Sequence, residues 1–253
     1  MAASAKPAAA SALVFCRDGG ARRLILESLR PFAILPEVCE DSLAAVNLLD
    51  KQRFEAVIVD LALGEEAKLI VRRLEFSPGN RTAVTFGIGS PQAPEDSRDA
   101  MFLLRRPLSV ATVTQAVKAA YGLIARERRR SFRCPVSVPV FLWAGGSQVL
   151  LCNTVNISEG GIAVATYPAW GGLIPDAVRF SLPGVRGELS SEVRVTWQSG
   201  DGLMGLQFTS LTAAQAAELQ EWLAVKLDET LPPEVAGLFR SAASSVDSAT
   251  SRK

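Results

Sequence analysis

The chain has 253 residues, of which 48% are hydrophobic and 21% are charged, so it is long enough for two ordinary domains with buried cores. Its formal net charge of +1 leaves no overall field that would draw it onto nucleic acid or an anionic membrane. The sequence contains no histidine, which excludes catalysis by an imidazole group and metal binding by one. We therefore expect a protein that is not an enzyme.

The four cysteines indicate a reducing compartment. Cys16, Cys39, Cys134 and Cys152 form no Cys-x-x-Cys pair and mostly follow apolar residues, so we expect buried thiols and no metal site. The N-terminal residues lack the charged start and apolar stretch of a signal peptide, and no apolar run reaches the length of a membrane span. These features predict a cytoplasmic protein that does not bind a membrane.

The first half of the chain alternates short apolar runs with amphipathic stretches. Residues 55–60 form a continuous apolar run that ends in Asp60, as expected for a central strand buried on both faces. The predicted strands are 12–15, 33–38, 55–60, 83–88 and 100–104, and the predicted helices are 21–30, 42–52, 65–75 and 110–124. This alternation predicts an α/β domain with a doubly wound parallel sheet.

The second half predicts a small antiparallel β-barrel followed by a helix. Short apolar strands are separated by turns rich in glycine and proline, which is typical of small barrels. The predicted strands are 136–142, 148–157, 161–166, 177–182, 187–197 and 203–208. A helix is predicted over 212–227, with Thr212 as its N-cap.

Two motifs near the middle of the chain predict a ligand site. Five arginines fall within residues 126–133, and Asn156-Ile-Ser158-Glu-Gly-Gly161 follows between two predicted strands. Alone, the first motif is usually a solvated linker and the second a tight turn. Together, and before a barrel pattern, they favour a ligand with phosphates and flat rings, because guanidinium is planar, permanently charged and bidentate toward phosphate.

The paired motifs resemble the PilZ domain, whose signature is Arg-x-x-x-Arg followed by Asp/Asn-x-Ser-x-x-Gly. Arg129 and Arg133 fit the first half of the signature, and Asn156, Ser158 and Gly161 fit the second. The resemblance covers roughly residues 126–227 and includes Val-x-Trp197, Gly205-Leu-Gln-Phe208 and the final helix. It implies that the chain binds the bacterial second messenger cyclic di-GMP.

The resemblance also suggests a role for each site residue. The two motif arginines are expected to donate to phosphate oxygens and guanine edges and to stack on purine faces. Asn156 can read a guanine edge, Ser158 can add a hydroxyl bond, and Gly161 lets a base approach the backbone. Arg128 and Arg130 are flanking candidates for the site, or are present only for solubility.

The first half of the chain resembles the receiver domain of response regulators, over roughly residues 10–124. Receivers hold magnesium with paired acidic residues after the first strand, where this chain has Cys16-Arg17-Asp18, and their conserved lysine position is Arg106. Asp60 matches the phosphoacceptor and is either a working phosphorylation site or a relic that caps a helix. Cysteine and arginine supply no oxygen ligand for magnesium, which favours the relic.

These patterns divide the chain into five segments: a flexible N-terminus (1–10), a receiver-like domain (11–124), an arginine joint (125–133), a PilZ-like barrel with its helix (134–230) and a disordered tail (231–253). We expect cyclic di-GMP to close the joint, which would alter the domain arrangement and the binding of a protein partner, with the receiver-like domain as the expected contact surface. Formation of a homodimer is also left open by the sequence.

Two other functions stay open at this point. One is a phosphorylation-controlled response regulator whose PilZ-like output binds no nucleotide. The other is an adaptor whose arginines contact nucleic acid or protein. The small basic patch and a net charge near zero argue against nucleic acid as the partner.

Overall fold

The computed structural model describes residues 10–89, 100–146, 148–166, 174–233 and 235–237. It contains two compact units, one formed by the residues up to Arg128 and from Leu231 onward, the other by Arg129–Thr230. Within these described ranges, no helix is long and apolar enough to cross a bilayer.

The predicted N-terminal and C-terminal tails fall largely on residues 1–9 and 238–253, which lie outside the described residues. The segment that directly follows Thr230 is nevertheless packed, because Leu231, Val235 and Ala236 are buried. Packed structure therefore extends beyond residue 231, where the disordered tail was expected to begin.

The first unit is a five-stranded parallel sheet in the order β2-β1-β3-β4-β5, which confirms the predicted doubly wound α/β fold. Every position of the central strand β3 is buried, as the continuous apolar run predicts. The elements are β1 (Ala10–Phe15), α1 (Gly19–Leu29), β2 (Ile34–Cys39), α2 (Ser42–Lys51), β3 (Ala56–Asp60), α3 (Glu65–Phe76), β4 (Val84–Gly89), β5 (Phe102–Arg105) and α4 (Val110–Ser131).

Helix α4 is longer than the sequence pattern predicts, since it continues past residue 124 to Ser131. Its additional turns begin with Ala125 and Glu127, both of which are buried. The Glu127 carboxylate accepts a hydrogen bond from the Thr82 hydroxyl at 2.7 Å, so this buried charge is satisfied. Most of the segment predicted to be the arginine joint, 125–133, is therefore helical.

Arg128, on the same part of α4, lies beside a second buried carboxylate. Glu55 is 2% exposed and accepts hydrogen bonds from the backbone N–H and the hydroxyl of Ser11, at 2.7 and 2.9 Å. The Arg128 guanidinium lies 3.8 Å from this carboxylate. Arg128 thus helps to neutralise a buried carboxylate of the α/β unit.

The second unit is a closed six-stranded barrel in the order β10-β11-β8-β7-β6-β9, which confirms the predicted barrel. All of its strand pairs are antiparallel. The elements are β6 (Pro139–Ala144), β7 (Gln148–Ser158), β8 (Gly161–Ala165), β9 (Ala177–Phe180), β10 (Leu189–Gln198), β11 (Leu203–Phe208) and α5 (Ala213–Thr230).

Helix α5 packs on the barrel through its apolar face, and a capping box stabilises its first turn. Thr212 and Gln215 form a reciprocal capping box, in which each side chain accepts from the other residue's backbone N–H at 3.2 Å. The Trp222 indole donates to the Pro183 carbonyl at 3.0 Å. The buried face consists of Leu219, Trp222, Leu223 and Leu227.

Strands β8 and β11 approach each other so closely that Gly161 has no room for a side chain. A Cβ atom at this position would lie 2.0 Å from the Leu206 carbonyl oxygen. Backbone cannot yield as the end of a flexible side chain can, so any larger residue would force the two strands apart.

We therefore expect Gly161→Ala to lower the free energy of unfolding by about 1–3 kcal/mol, through overpacking between β8 and β11. Urea denaturation of the full chain measures this loss. Gly160→Ala is the matched control, because a Cβ at Gly160 would meet nothing within 4 Å. Equal stability of the two variants would contradict the packing argument.

Candidate functional site

A cavity of about 370 Å³ lies on the outer surface of the barrel unit. Its walls are the end of the arginine joint (125–133), the turn between β7 and β8, and the adjoining parts of β8, β10 and β11. The residues that matter chemically are Arg130, Arg133, Ser158, Gly161, Trp197 and Gln207.

Arg133 projects outward because both of its neighbours are buried. Phe132 and Cys134 are 7% and 6% exposed, whereas Arg133 is exposed. Cys134 also exchanges two backbone hydrogen bonds with Ile157, at 2.8 and 2.9 Å, which tie this segment to β7. The alternation buried–exposed–buried thus fixes the direction of the Arg133 side chain at the cavity.

Arg130 reaches the cavity from the last turn of α4, and its side chain is exposed. Arg128 and Arg129 do not line the cavity, since neighbouring residues on a helix point about 100° apart. Arg128 faces Glu55, and Arg129 is half-buried. The sequence motif pairs Arg129 with Arg133, whereas the structure brings Arg130 and Arg133 together at the cavity.

The turn between β7 and β8 brings Ser158 and Gly161 to the cavity. The Ser158 hydroxyl donates to the Gly161 carbonyl at 3.0 Å, so it holds the turn and leaves its lone pairs to accept from a ligand. Gly161 is required for packing against Leu206, whereas the sequence reasoning assigned its missing side chain to ligand approach.

Asn156 lies next to this turn without lining the cavity. It sits in β7 opposite Ala163, directly after a β-bulge. Its Oδ1 atom is buried and has no hydrogen-bond partner among the described residues. The structure therefore does not bring Asn156 to the cavity, and its contact with a ligand stays a prediction.

Trp197 is a cavity residue that sequence reasoning missed as part of the site. Strict alternation of side chains along β10 would point Trp197 into the barrel, on the same face as Val193 and Val195. A β-bulge between Val195 and Trp197 shifts the register, and the indole is 47% exposed. The ring lies flat over Gly205, where a Cβ would be 2.1 Å from the indole nitrogen. A tryptophan followed by a glycine-containing strand was the signal available in the sequence.

The cavity is cationic and carries an aromatic surface. Its described lining includes two arginines and no acidic side chain. Gln207, on the opposite wall, accepts a hydrogen bond from Arg194 at 2.7 Å, which orients its amide. Guanidinium groups beside an exposed indole suit a ligand that combines anionic groups with flat rings.

The α/β unit contains a second polar centre, at the carboxyl end of β3. Asp60 is 3% exposed, and its carboxylate accepts from the Ala62 N–H at 3.3 Å and so caps the 3-10 turn Leu61–Leu63. The Arg106 guanidinium donates to Asp60 at 2.8 Å and to Asp18 at 2.7 Å. A single fixed cation therefore bridges the two carboxylates.

The residues at this centre do not fit the magnesium ion that receiver domains hold. Magnesium requires a near-octahedral set of oxygen ligands, but Cys16 supplies sulfur and Arg106 already neutralises the carboxylates. Burial, followed by the nearby Asp60 charge, raises the pKa of the Cys16 thiol to about 11, so the thiol stays protonated. No group of three or more metal-ligating side chains occurs in the described part of the chain.

Comparison with known proteins agrees with this geometry. The family model of the PilZ domain matches residues 127–225. The chain is also 32% identical, over 126 residues, to a cellulose synthase catalytic subunit (UDP-forming) from Xanthomonas axonopodis pv. citri, strain 306. That match covers 49% of this chain but only 15% of the cellulose synthase subunit.

Solved structures of a receiver domain and of a PilZ domain each align with part of this chain. The receiver domain of a sensor histidine kinase from Pseudomonas aeruginosa PAO1 aligns with a TM-score of 0.37 and 17% identity, over 44% of this chain and 95% of that one. The PilZ domain of CeSA from a cellulose-synthesizing bacterium aligns with a TM-score of 0.29 and 24% identity, over 37% of this chain and 95% of that one. The residues that match the PilZ domain model, 127–225, contain the arginine-lined cavity and follow a doubly wound α/β unit.

Proposed function

We propose that this chain is a signalling effector that binds cyclic di-GMP in the barrel cavity and catalyses no reaction on it. The observation that carries the proposal is the meeting of Arg130, Arg133 and Trp197 in one cavity of a PilZ domain. We place the protein in the bacterial cytoplasm, because its four cysteines are free and buried, as in a reducing compartment.

The chemistry of the ligand matches the cavity group by group. Cyclic di-GMP carries two phosphates and two guanines. The guanidinium groups of Arg130 and Arg133 donate to phosphate oxygens and to guanine O6 and N7, and the Trp197 ring offers a stacking surface.

Ligand binding would also act on helix α4. Arg130 lies in its last turn, and Arg133 follows two residues after its end. The same helix begins at Val110 and buries Val113 and Val117 in the α/β unit. Closure of the arginines on the ligand would therefore restrain an element that the receiver-like unit shares, and a protein partner could read this change.

In this proposal the α/β unit does not carry out the metal-dependent chemistry that phosphorylation needs. With Arg106 bound to both Asp18 and Asp60, this unit serves in our proposal as a scaffold and a partner surface. The proposal therefore assigns signal input to the barrel and excludes phosphoryl transfer as the switch.

Calorimetric titration of cyclic di-GMP into the full chain should show binding with a Kd on the order of 1 μM, or about −8 kcal/mol. Arg133→Ala should weaken binding about ten- to a hundredfold, because a charged donor to phosphate is lost. Trp197→Ala should weaken it about tenfold, through the loss of base stacking.

Arg126→Ala is the matched control for these variants. Arg126 belongs to the same arginine run and is exposed, but it does not line the cavity. Its removal should leave the affinity unchanged. An Arg130→Ala/Arg133→Ala variant that binds as tightly as the parent would refute the site, and absence of any binding by the parent would refute the function.

Saturation with cyclic di-GMP should slow amide hydrogen exchange across residues 129–134, since the ligand restrains both arginines there. Strand β3 provides the internal reference, because every one of its residues is buried regardless of ligand. Unchanged exchange at residues 129–134 under saturating ligand would mean that binding does not act on α4.

Incubation with magnesium and a small-molecule phosphodonor should leave the intact mass of the protein unchanged, because the Arg106 bridge occupies the carboxylates that would bind the metal. A magnesium-dependent phosphoryl adduct that disappears in Asp60→Asn would contradict this expectation. That outcome would support a phosphorylation-controlled response regulator instead.

A further inference from the structure

The outer surface of β6 and β7 carries an apolar patch. Phe141, Val149 and Leu151 are 40%, 53% and 57% exposed. Phe141 is paired with Leu151 across the two strands, and Trp143 is paired with Val149. The four side chains therefore form two adjacent rows, and we call this surface the β6–β7 patch. Apolar residues clustered in this way on a folded domain mark an interaction surface.

Opposite charges border the β6–β7 patch. Arg179 on β9 is the cross-strand neighbour of Phe141, and its guanidinium lies 5.3 Å from the centre of the Trp143 ring. The Glu188 carboxylate lies 3.8 Å from Arg179, and both side chains are more than half exposed. A long pair of this kind in solvent contributes little to the fold, so both charges are available to a partner.

The β6–β7 patch and the arginine-lined cavity are separated along strand β7. Val149 and Leu151 lie near the start of this strand, whereas the cavity residue Ser158 ends it. The stretch of extended strand from Leu151 to Ser158 spans roughly 20 Å. A protein bound to the patch would not compete with a ligand in the cavity.

We propose that the β6–β7 patch binds the same patch of a second copy of this chain. A two-fold dimer brings identical surfaces together, so the surface must complement itself. The apolar rows can pack against each other, and Arg179 of each copy can pair with Glu188 of the other. A border of a single charge sign would repel its own copy, whereas this border carries both signs.

The patch also limits the strength of the dimer. The closed barrel leaves no open strand edge for pairing by hydrogen bonds, so side chains alone must hold the two copies together. Three exposed apolar side chains and one ion pair per copy form only the centre of a standard interface, which buries roughly 800 Å² on each partner. We therefore expect a reversible dimer that dissociates on dilution. This inference does not rest on nucleotide binding.

Sedimentation velocity of the full chain without nucleotide, over about a hundredfold range of concentration, tests the proposal. The sedimentation coefficient should rise from that of a monomer to that of a dimer. Val149→Lys and Leu151→Lys should each raise the dissociation constant at least about tenfold, because a buried charge opposes association.

Val225→Lys is the matched control, since Val225 on helix α5 is as exposed as Val149, at 53%. It should leave association unchanged. A parent chain that stays monomeric at every concentration would overturn the proposal, as would a dimer that Val149→Lys and Leu151→Lys leave intact.

Exchanging the border charges tests self-complementarity directly. Arg179→Glu and Glu188→Arg should each weaken the dimer, because like charges then face each other across the two-fold axis. The double variant Arg179→Glu/Glu188→Arg should recover most of the lost association. Equal losses in the single and double variants, with each variant shown to be folded by circular dichroism, would overturn the proposed pairing.

Discussion

The candidate site depends on the burial of Phe132 and Cys134 on either side of Arg133. These two side chains and the backbone bonds between Cys134 and Ile157 attach the arginine segment to the barrel. Without that attachment, Arg133 would be one more mobile cation in a basic run. With it, the base of a flexible side chain is fixed at one wall of the cavity, which lowers the entropic cost of closing on a ligand.

The α/β unit combines a doubly wound fold with a fixed cation at the carboxyl end of its central strand. The strand order and the buried central strand are those of a doubly wound domain, and the Arg106 guanidinium bridges Asp18 and Asp60. Hydrogen bonds from the Ala21 N–H and from Arg106 lower the pKa of Asp18, so this carboxylate stays ionised and keeps the bridge intact at neutral pH.

Much of this architecture could be predicted from the sequence because it depends on periodic burial. Short apolar runs separated by helices gave the parallel sheet, and strands separated by glycine and proline turns gave the barrel. The length of α4 could not be read in this way, since the residue that extends it, Glu127, is a buried charge satisfied by a distant Thr82. Such long-range satisfaction of a polar group leaves no periodic signal.

The site was predictable at the level of its motif but not residue by residue. The motif identified the arginine run, whereas the helical geometry of α4 decides that Arg130 lines the cavity. Trp197 was missed because a one-residue bulge reverses the face on which it emerges. Gly161 is required by the backbone of Leu206, a packing role that the motif did not indicate, and its role in ligand approach stays a prediction. These differences arise from helix geometry, a strand bulge and a backbone contact.

The central claim is that the guanidinium groups of Arg130 and Arg133 contact the nucleotide directly. Arginine side-chain Nε–H resonances, recorded by NMR during a titration with cyclic di-GMP, report on each guanidinium separately. The account predicts that the Arg130 and Arg133 resonances shift in proportion to saturation while that of Arg126 stays in place. Saturable binding that leaves both resonances unmoved would place the ligand elsewhere and contradict the account.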